Sequence, residues 1–132
     1  MKIERFEDIV AWQKARELNK ELFGQFKTTR NFTFRDQLLR ASLSITNNIA
    51  EGFERGSNKE LKQFLTIARG STAEVRSMLY IAIDNNYINN TQFSNLFEKT
   101  TQIGKLLTGF IKTLSHQPPI KLSNNLSKGT SC

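Results

Sequence analysis

Residues 56–85 read GSNKELKQFLTIARGSTAEVRSMLYIAIDN, and the fold follows from how this stretch starts, repeats and stops. Gly56 can take the left-handed backbone that ends a preceding helix, and Ser57 with Glu60 makes a capping-box pair that begins the next one. Beyond the cap, Leu61, Phe64, Leu65, Ala68, Thr72, Val75, Leu79, Ala82 and Ile83 recur at helical spacing along one side. The Asn85-Asn86 pair supplies a stop. The spacing predicts a helix over 58–85.

The same period extends in both directions. Upstream, Phe34, Leu38, Ala41, Ser42, Ile45, Ile49 and Gly52 line one face behind a cap expected at Thr33, which predicts a helix over 34–55. Before it, Ala11, Ala15, Leu18, Leu22 and Phe26 make an apolar stripe from a cap expected at Asp8, for a helix over 8–28. Downstream, Phe93, Leu96, Phe97, Ile103, Leu107, Phe110, Ile111 and Leu114 predict a helix over 91–116, which stops before Pro118-Pro119. No run alternates apolar and polar residues at strand length, and no Asn-Gly or Asp-Gly hairpin turn occurs. Four long helices with short connections predict an all-α chain: an antiparallel up-and-down four-helix bundle over 1–117. Residues 118–132, rich in Ser, Asn and Lys, read as a flexible C-terminal tail that either has no role or makes a weak basic contact through Lys121 and Lys128.

Composition excludes several classes. No apolar run approaches the roughly 18 residues of a membrane helix, and Met1–Arg5 leads into acids rather than a signal-peptide apolar region. A membrane partner and secretion are therefore not expected, and a cytoplasmic location is. Cys132 is the only cysteine, so a disulfide framework or a cysteine-built zinc site within one chain has no residues to form it. The 19 basic residues outnumber 12 acidic ones for a net charge of +7. Setting aside Lys121 and Lys128 lowers this only to about +5, so the bundle itself is basic.

The helix faces turned away from the core carry the functional signals. On the third helix Lys62, Arg69 and Arg76 recur every seven residues and drift only about 20° each time, forming one basic ridge with Arg55 and Lys59 near its start. Thr66, Gly70, Ala73 and Ser77 stand beside it, and a mid-helix glycine, about 1 kcal/mol worse than alanine, suggests close packing there. Ile67, Met78 and Ile81 widen the apolar arc on the other flank, as Leu39, Leu43 and Ala50 do on the second helix, which suggests self-association. Arg40, Ser44, Asn47, Glu51 and Arg55 share a polar strip, either a solvated charged face or a polar network at a subunit contact. Glu51 and Arg55 are spaced to pair, whereas Arg40 needs a partner from elsewhere. Trp12 and Phe23 read as core edge.

The equipment of an enzyme is missing. His116, the single histidine, suits a helix C-terminus, and Cys132 has no nearby cations to activate it. Gly52 and Gly56 lack the lysine of a phosphate loop, and Glu51 and Glu54 lack the histidine at i+3 that bundle metal sites use. Neither a cofactor nor a metal is expected, and the reading is non-enzymatic.

Arg40-Ala41-Ser42-Leu43-Ser44-Ile45-Thr46-Asn47-Asn48-Ile49-Ala50-Glu51-Gly52 and the stretch Phe64 to Glu74, with Ala11-Trp12-Gln13-Lys14-Ala15 and Asn86-Tyr87-Ile88, carry a resemblance. Over about residues 3–115 the chain resembles the bacterial 23S rRNA-intervening-sequence family of four-helix bundle proteins. That family is similar to the accessory variability protein of diversity-generating retroelements, a basic pentameric barrel that binds nucleic acid and reverse transcriptase. The resemblance implies a homopentamer, with a reverse transcriptase as partner if the gene lies in a retroelement. It also implies that Arg40, Asn48, Glu51, Gly70, Ser71 and Glu74 are structural or interface positions. Two functions remain open. One is a homo-oligomer that binds RNA or DNA backbone through Arg55, Lys59, Lys62, Arg69 and Arg76. With no recognition-helix motif and no exposed aromatic platform expected, its sequence specificity would be low. The other is a structural or protein-interaction scaffold with no nucleic-acid role.

Overall fold

The computed structural model describes residues 2–116; the tail assigned to 118–132, with Lys121, Lys128 and Cys132, lies outside the described residues. A 3-10 turn at Phe6–Asp8 leads into four helices, α1 (Val10–Phe26), α2 (Phe32–Glu54), α3 (Asn58–Asp84) and α4 (Asn90–His116), and no strand occurs among the described residues. Each helix touches its neighbours in chain order and α4 closes the square on α1, while the diagonal pairs stay apart. This is the expected antiparallel four-helix bundle. Its core is one cluster in which Leu18, Leu22, Phe26, Leu38, Ile45, Ile49, Leu65, Leu79, Leu96, Ile103 and Leu107 are fully buried.

Two helix starts differ from the sequence reading. Asp8 lies in the 3-10 turn instead of capping α1, and Ile9, at the N-cap position, offers no side-chain cap. Burial decides this entry: the turn carries Ile9 and Ala11 into the core, where both are almost completely covered. For α2 the cap is Asn31 rather than Thr33, with Asn31 Oδ1 accepting from the Phe34 amide at 3.0 Å. Asparagine caps at least as well as threonine. The earlier start also puts Phe34 in the first turn, where it packs against Phe26 at 6.1 Å and Tyr87 at 5.2 Å between ring centroids.

The other boundaries follow their signals. Gly56 takes φ +84°, and Ser57 Oγ accepts from the Glu60 amide at 3.2 Å while its hydroxyl meets the Glu60 carboxylate. At the end of α3, Asn86 adopts φ 61°, and the Tyr87 and Asn86 amides donate to the Ala82 and Ile83 carbonyls at 2.9 and 3.1 Å, a Schellman closure. Asn89 and Gln92 cap α4 reciprocally: each side-chain oxygen accepts from the other's backbone amide, at 2.8 and 2.9 Å.

Two polar clusters lock α1 to its neighbours. Asn19 accepts from the buried Ser42 hydroxyl and donates to Thr46 Oγ1 at 3.2 Å, joining α1 to α2. Glu21 accepts from Asn95 at 2.9 Å and pairs with Lys99 at 3.1 Å, joining α1 to α4.

At Gly52, α2 and α3 approach closely. A Cβ added to Gly52 would lie 2.5 Å from Phe64 Cβ, so only glycine lets the hairpin close. Gly70 is the opposite case: a Cβ there meets nothing within 4 Å, so nothing in the chain's own fold packs against it. Gly52→Ala is expected to destabilise the bundle by about 1–3 kcal/mol through overpacking, and Gly70→Ala to stabilise it by about 1 kcal/mol through helix propensity. Urea unfolding followed by circular dichroism measures both.

Candidate nucleic-acid interface

Because Leu65, Ala68, Thr72, Val75, Leu79 and Ala82 turn to the core, helical geometry directs Lys62, Arg69 and Arg76 away from it, toward the α3–α4 seam and solvent. Arg69 and Arg76 are exposed and Lys62 is half-buried. Their contacts are neutral ones. Arg69 donates to Thr108 Oγ1 on α4 at 3.4 Å, and the Arg76 guanidinium stands 4.8 Å from the Phe97 ring centroid. Among the described residues, no carboxylate lies within ion-pair distance of Lys59, Lys62, Arg69 or Arg76. Among the described residues the positive charge of the ridge is therefore uncompensated.

Arg55 behaves differently. It pairs with Glu51 at 3.2 Å and Glu60 at 3.6 Å and lies 5.0 Å from the Phe64 ring centroid. Two carboxylates offset its charge, and the ring lies against its guanidinium. The structure thus separates Arg55 from the cations with which the sequence grouped it. Glu60 is the residue responsible, doubling as part of the α3 cap.

The expectation of no exposed aromatic platform is corrected by Tyr80. One turn beyond Arg76, this residue is 53% exposed, and its ring sits 5.3 Å from Phe93 and 5.4 Å from Phe97. Phe93 and Phe97 stack on each other at 5.3 Å with a 26° interplanar angle. In the sequence Phe93 and Phe97 read as core, and the apolar stripe of α3 does not include Tyr80. The available signal was Tyr80 falling on the same helical side as Lys62, Arg69 and Arg76.

The positions attributed to structure or interface lie mostly along the opposite seam, between α2 and α3. Ser44 Oγ and Ser71 Oγ hydrogen-bond across it at 2.8 Å, while Asn48 donates to the Ser44 carbonyl at 2.8 Å and to Ser44 Oγ at 2.9 Å. Farther along, Gln37 donates to Glu74 at 3.4 Å. Asn48, Ser71 and Glu74 thus serve the hairpin itself. Arg40 is exposed with no ion-pair or hydrogen-bond partner among the described residues, and Glu51 is engaged by Arg55.

The extra apolar faces divide. Ile67 is 52% and Ile81 45% exposed on α3, and Leu43 is 40% exposed on α2, whereas Met78 is buried in the core. Trp12 is core edge as expected, edge-on to Phe6 at 5.2 Å, but Phe23 is exposed. A cleft of about 650 Å³ beside α1 and α4 is lined by Ile3, Val10, Leu106 and Phe110, with Lys2 and Lys105 also contributing. Among the described residues there is no metal-holding cluster of His, Cys, Asp or Glu, and no helix is long and apolar enough to cross a membrane.

The family model for the 23S rRNA-intervening sequence protein matches residues 7–109. A solved structure from Bacteroides thetaiotaomicron, described as a protein with unknown function from the S23 ribosomal protein family, is similar at 28% identity with a TM-score of 0.72. The similarity covers 78% of this chain and 96% of that one. No curated protein matches.

The α2–α3 seam yields a direct expectation. Ser44→Ala and Ser71→Ala should each cost about 1 kcal/mol, and the double variant should cost less than their sum because both remove the same hydrogen bond. Urea melts of the four proteins in the cycle measure the coupling.

Proposed function

The chain belongs to the 23S rRNA-intervening sequence protein family, and from that premise we propose a non-catalytic bundle that binds the backbone of nucleic acid through the α3–α4 face. The observation that carries this reading is the exposure of Arg69 and Arg76, with Lys62 beside them and, among the described residues, no carboxylate within ion-pair distance of any of the three. Cations left in this state attract phosphate and release the counterions condensed on a polyanion. A row of phosphate contacts with no base-reading motif positions a strand without selecting its sequence. The S23 ribosomal description of the Bacteroides neighbour supports RNA as the first polymer to test, with DNA as the comparison.

Assembly fits the same reading. Ile67 lies about 160° around α3 from Arg69, and Ile81 about 140° from Arg76, at 100° per residue. A homo-oligomer built on Leu43, Ile67 and Ile81 therefore leaves the ridge facing outward and repeats it in every subunit. A homopentamer is the assembly that the resemblance implies. A reverse transcriptase enters as a partner only in a retroelement context. The same exposed apolar residues also favour a second reading, a scaffold that binds another protein and uses its charge for solubility alone.

The test is binding to RNA and DNA over a range of salt. With about six phosphates engaged by two subunits on a duplex, the slope of log K against log salt is expected near −5. Replacing Lys62, Arg69 and Arg76 together by alanine should flatten that slope and weaken binding to both polymers. Arg55→Ala should change affinity much less than Arg69→Ala, since Glu51 and Glu60 already offset Arg55. Unchanged affinity in the triple variant would remove the ridge from the function and leave the scaffold reading. Light scattering tests the assembly: a monomer at tens of micromolar contradicts the oligomer.

A further inference from the structure

Tyr80 is an aromatic residue of α3 that is more than half exposed, yet its ring is not loose. It packs against Phe93 at 5.3 Å and Phe97 at 5.4 Å, and those two rings stack on each other. Two rings of α4 therefore hold Tyr80 in place while leaving part of it open. Hydrophobic burial alone would favour covering this ring, and a tyrosine on a solvated helix face needs no such support.

Its position matters as much as its exposure. Lys62, Arg69, Arg76 and Tyr80 lie on one side of α3, spanning about 27 Å at 1.5 Å per residue. Arg76, one turn before Tyr80, is held against Phe97 at 4.8 Å, so a planar cation and a supported ring stand side by side at the end of the ridge. A cationic track that runs into an aromatic ring matches the two parts of a single strand, a charged backbone and unpaired bases with open π faces. Duplex offers only the first part, because its bases already stack on one another.

We propose that Tyr80, supported by Phe93 and Phe97 and flanked by Arg76, is a base-stacking platform that gives the protein a preference for single-stranded over double-stranded nucleic acid. This rests on the backbone-binding reading above and adds to it the form of the polymer. At about 3.4 Å per stacked nucleotide, the span from Lys62 to Tyr80 covers about eight nucleotides. Each base face looks alike to the ring, so the platform selects strandedness and not sequence.

The experiment compares three labelled RNA probes by fluorescence anisotropy: an oligoadenylate of about ten nucleotides, an abasic strand of the same length, and a matching duplex. Wild type should bind the oligoadenylate most tightly. Tyr80→Leu should lose about tenfold on the oligoadenylate and little on the abasic strand or the duplex, and Tyr80→Phe should keep wild-type affinity. Because Tyr80 is largely exposed, both variants should retain the helical circular dichroism of wild type. Equal binding of the oligoadenylate by wild type and Tyr80→Leu overturns the platform. The backbone reading then still stands if the Lys62, Arg69 and Arg76 triple alanine variant loses all three probes. If wild type binds none of the probes, or if the triple variant binds them all undiminished, the backbone reading fails and the platform fails with it.

Discussion

The contact of Gly52 with Phe64 sets the geometry of this bundle. A side chain on Gly52 would collide with Phe64 Cβ, so its absence lets α3 seat the Phe64 side chain directly against the α2 backbone. The approach brings Ser44 and Ser71 within hydrogen-bonding distance and places Leu61 beside Gly52 of α2. Once α3 is seated in that way its rotation is fixed. The residues on this flank, Lys62, Arg69, Arg76 and Tyr80, then lie along the α3–α4 side, where the guanidinium groups of Arg69 and Arg76 and the ring of Tyr80 contact α4.

Charge on the surface is sorted by the same rotation. Arg55 sits at the hairpin, where the end of α2 and the first turn of α3 each bring a carboxylate toward it. Arg69 and Arg76 face α4, which presents Thr108 and Phe97 to them and so orients the guanidinium groups without offsetting their charge. On α1 the pattern reverses, since Glu21 is consumed by Lys99 and Asn95 in holding α4. A net charge of +7 is therefore a poor guide to where an anion is attracted. The partners of each cation decide that, and surface ion pairs count for the potential they cancel more than for the stability they add.

Much of the fold is legible in the order of residues. The apolar stripes of all four helices, the capping role of Ser57 and Glu60, the glycine stop at Gly56 and the close at Asn85-Asn86 are local patterns, each dictated by helical period or backbone chirality. The misreadings share one cause. Asp8 and Thr33 are plausible caps judged alone, but Ile9 and Phe34 are drawn into a core contributed by residues distant in sequence, and that burial sets the helix starts. Met78 is buried within the bundle instead of extending the self-association face, and Phe23 is exposed instead of lying at the core edge, for a related reason: helical period places a residue on a face but does not say how far a neighbouring helix extends over it.

The sequence by itself determined that the chain is helical, where its helices run, which stripe of each is buried, and that three cations recur along one side of α3, because all of these follow from a 3.6-residue period and a sum of charges. Only the tertiary structure decided that Glu60 joins in offsetting Arg55 while Arg69 and Arg76 meet neutral groups, that Ser44 and Ser71 join across the α2–α3 hairpin, and that Tyr80 stands open on a base of two phenylalanines. Each of these depends on atoms from another helix arriving within a few ångströms. Hydrogen bonds, ion pairs and ring contacts act only over that range, and no periodicity within one helix specifies them.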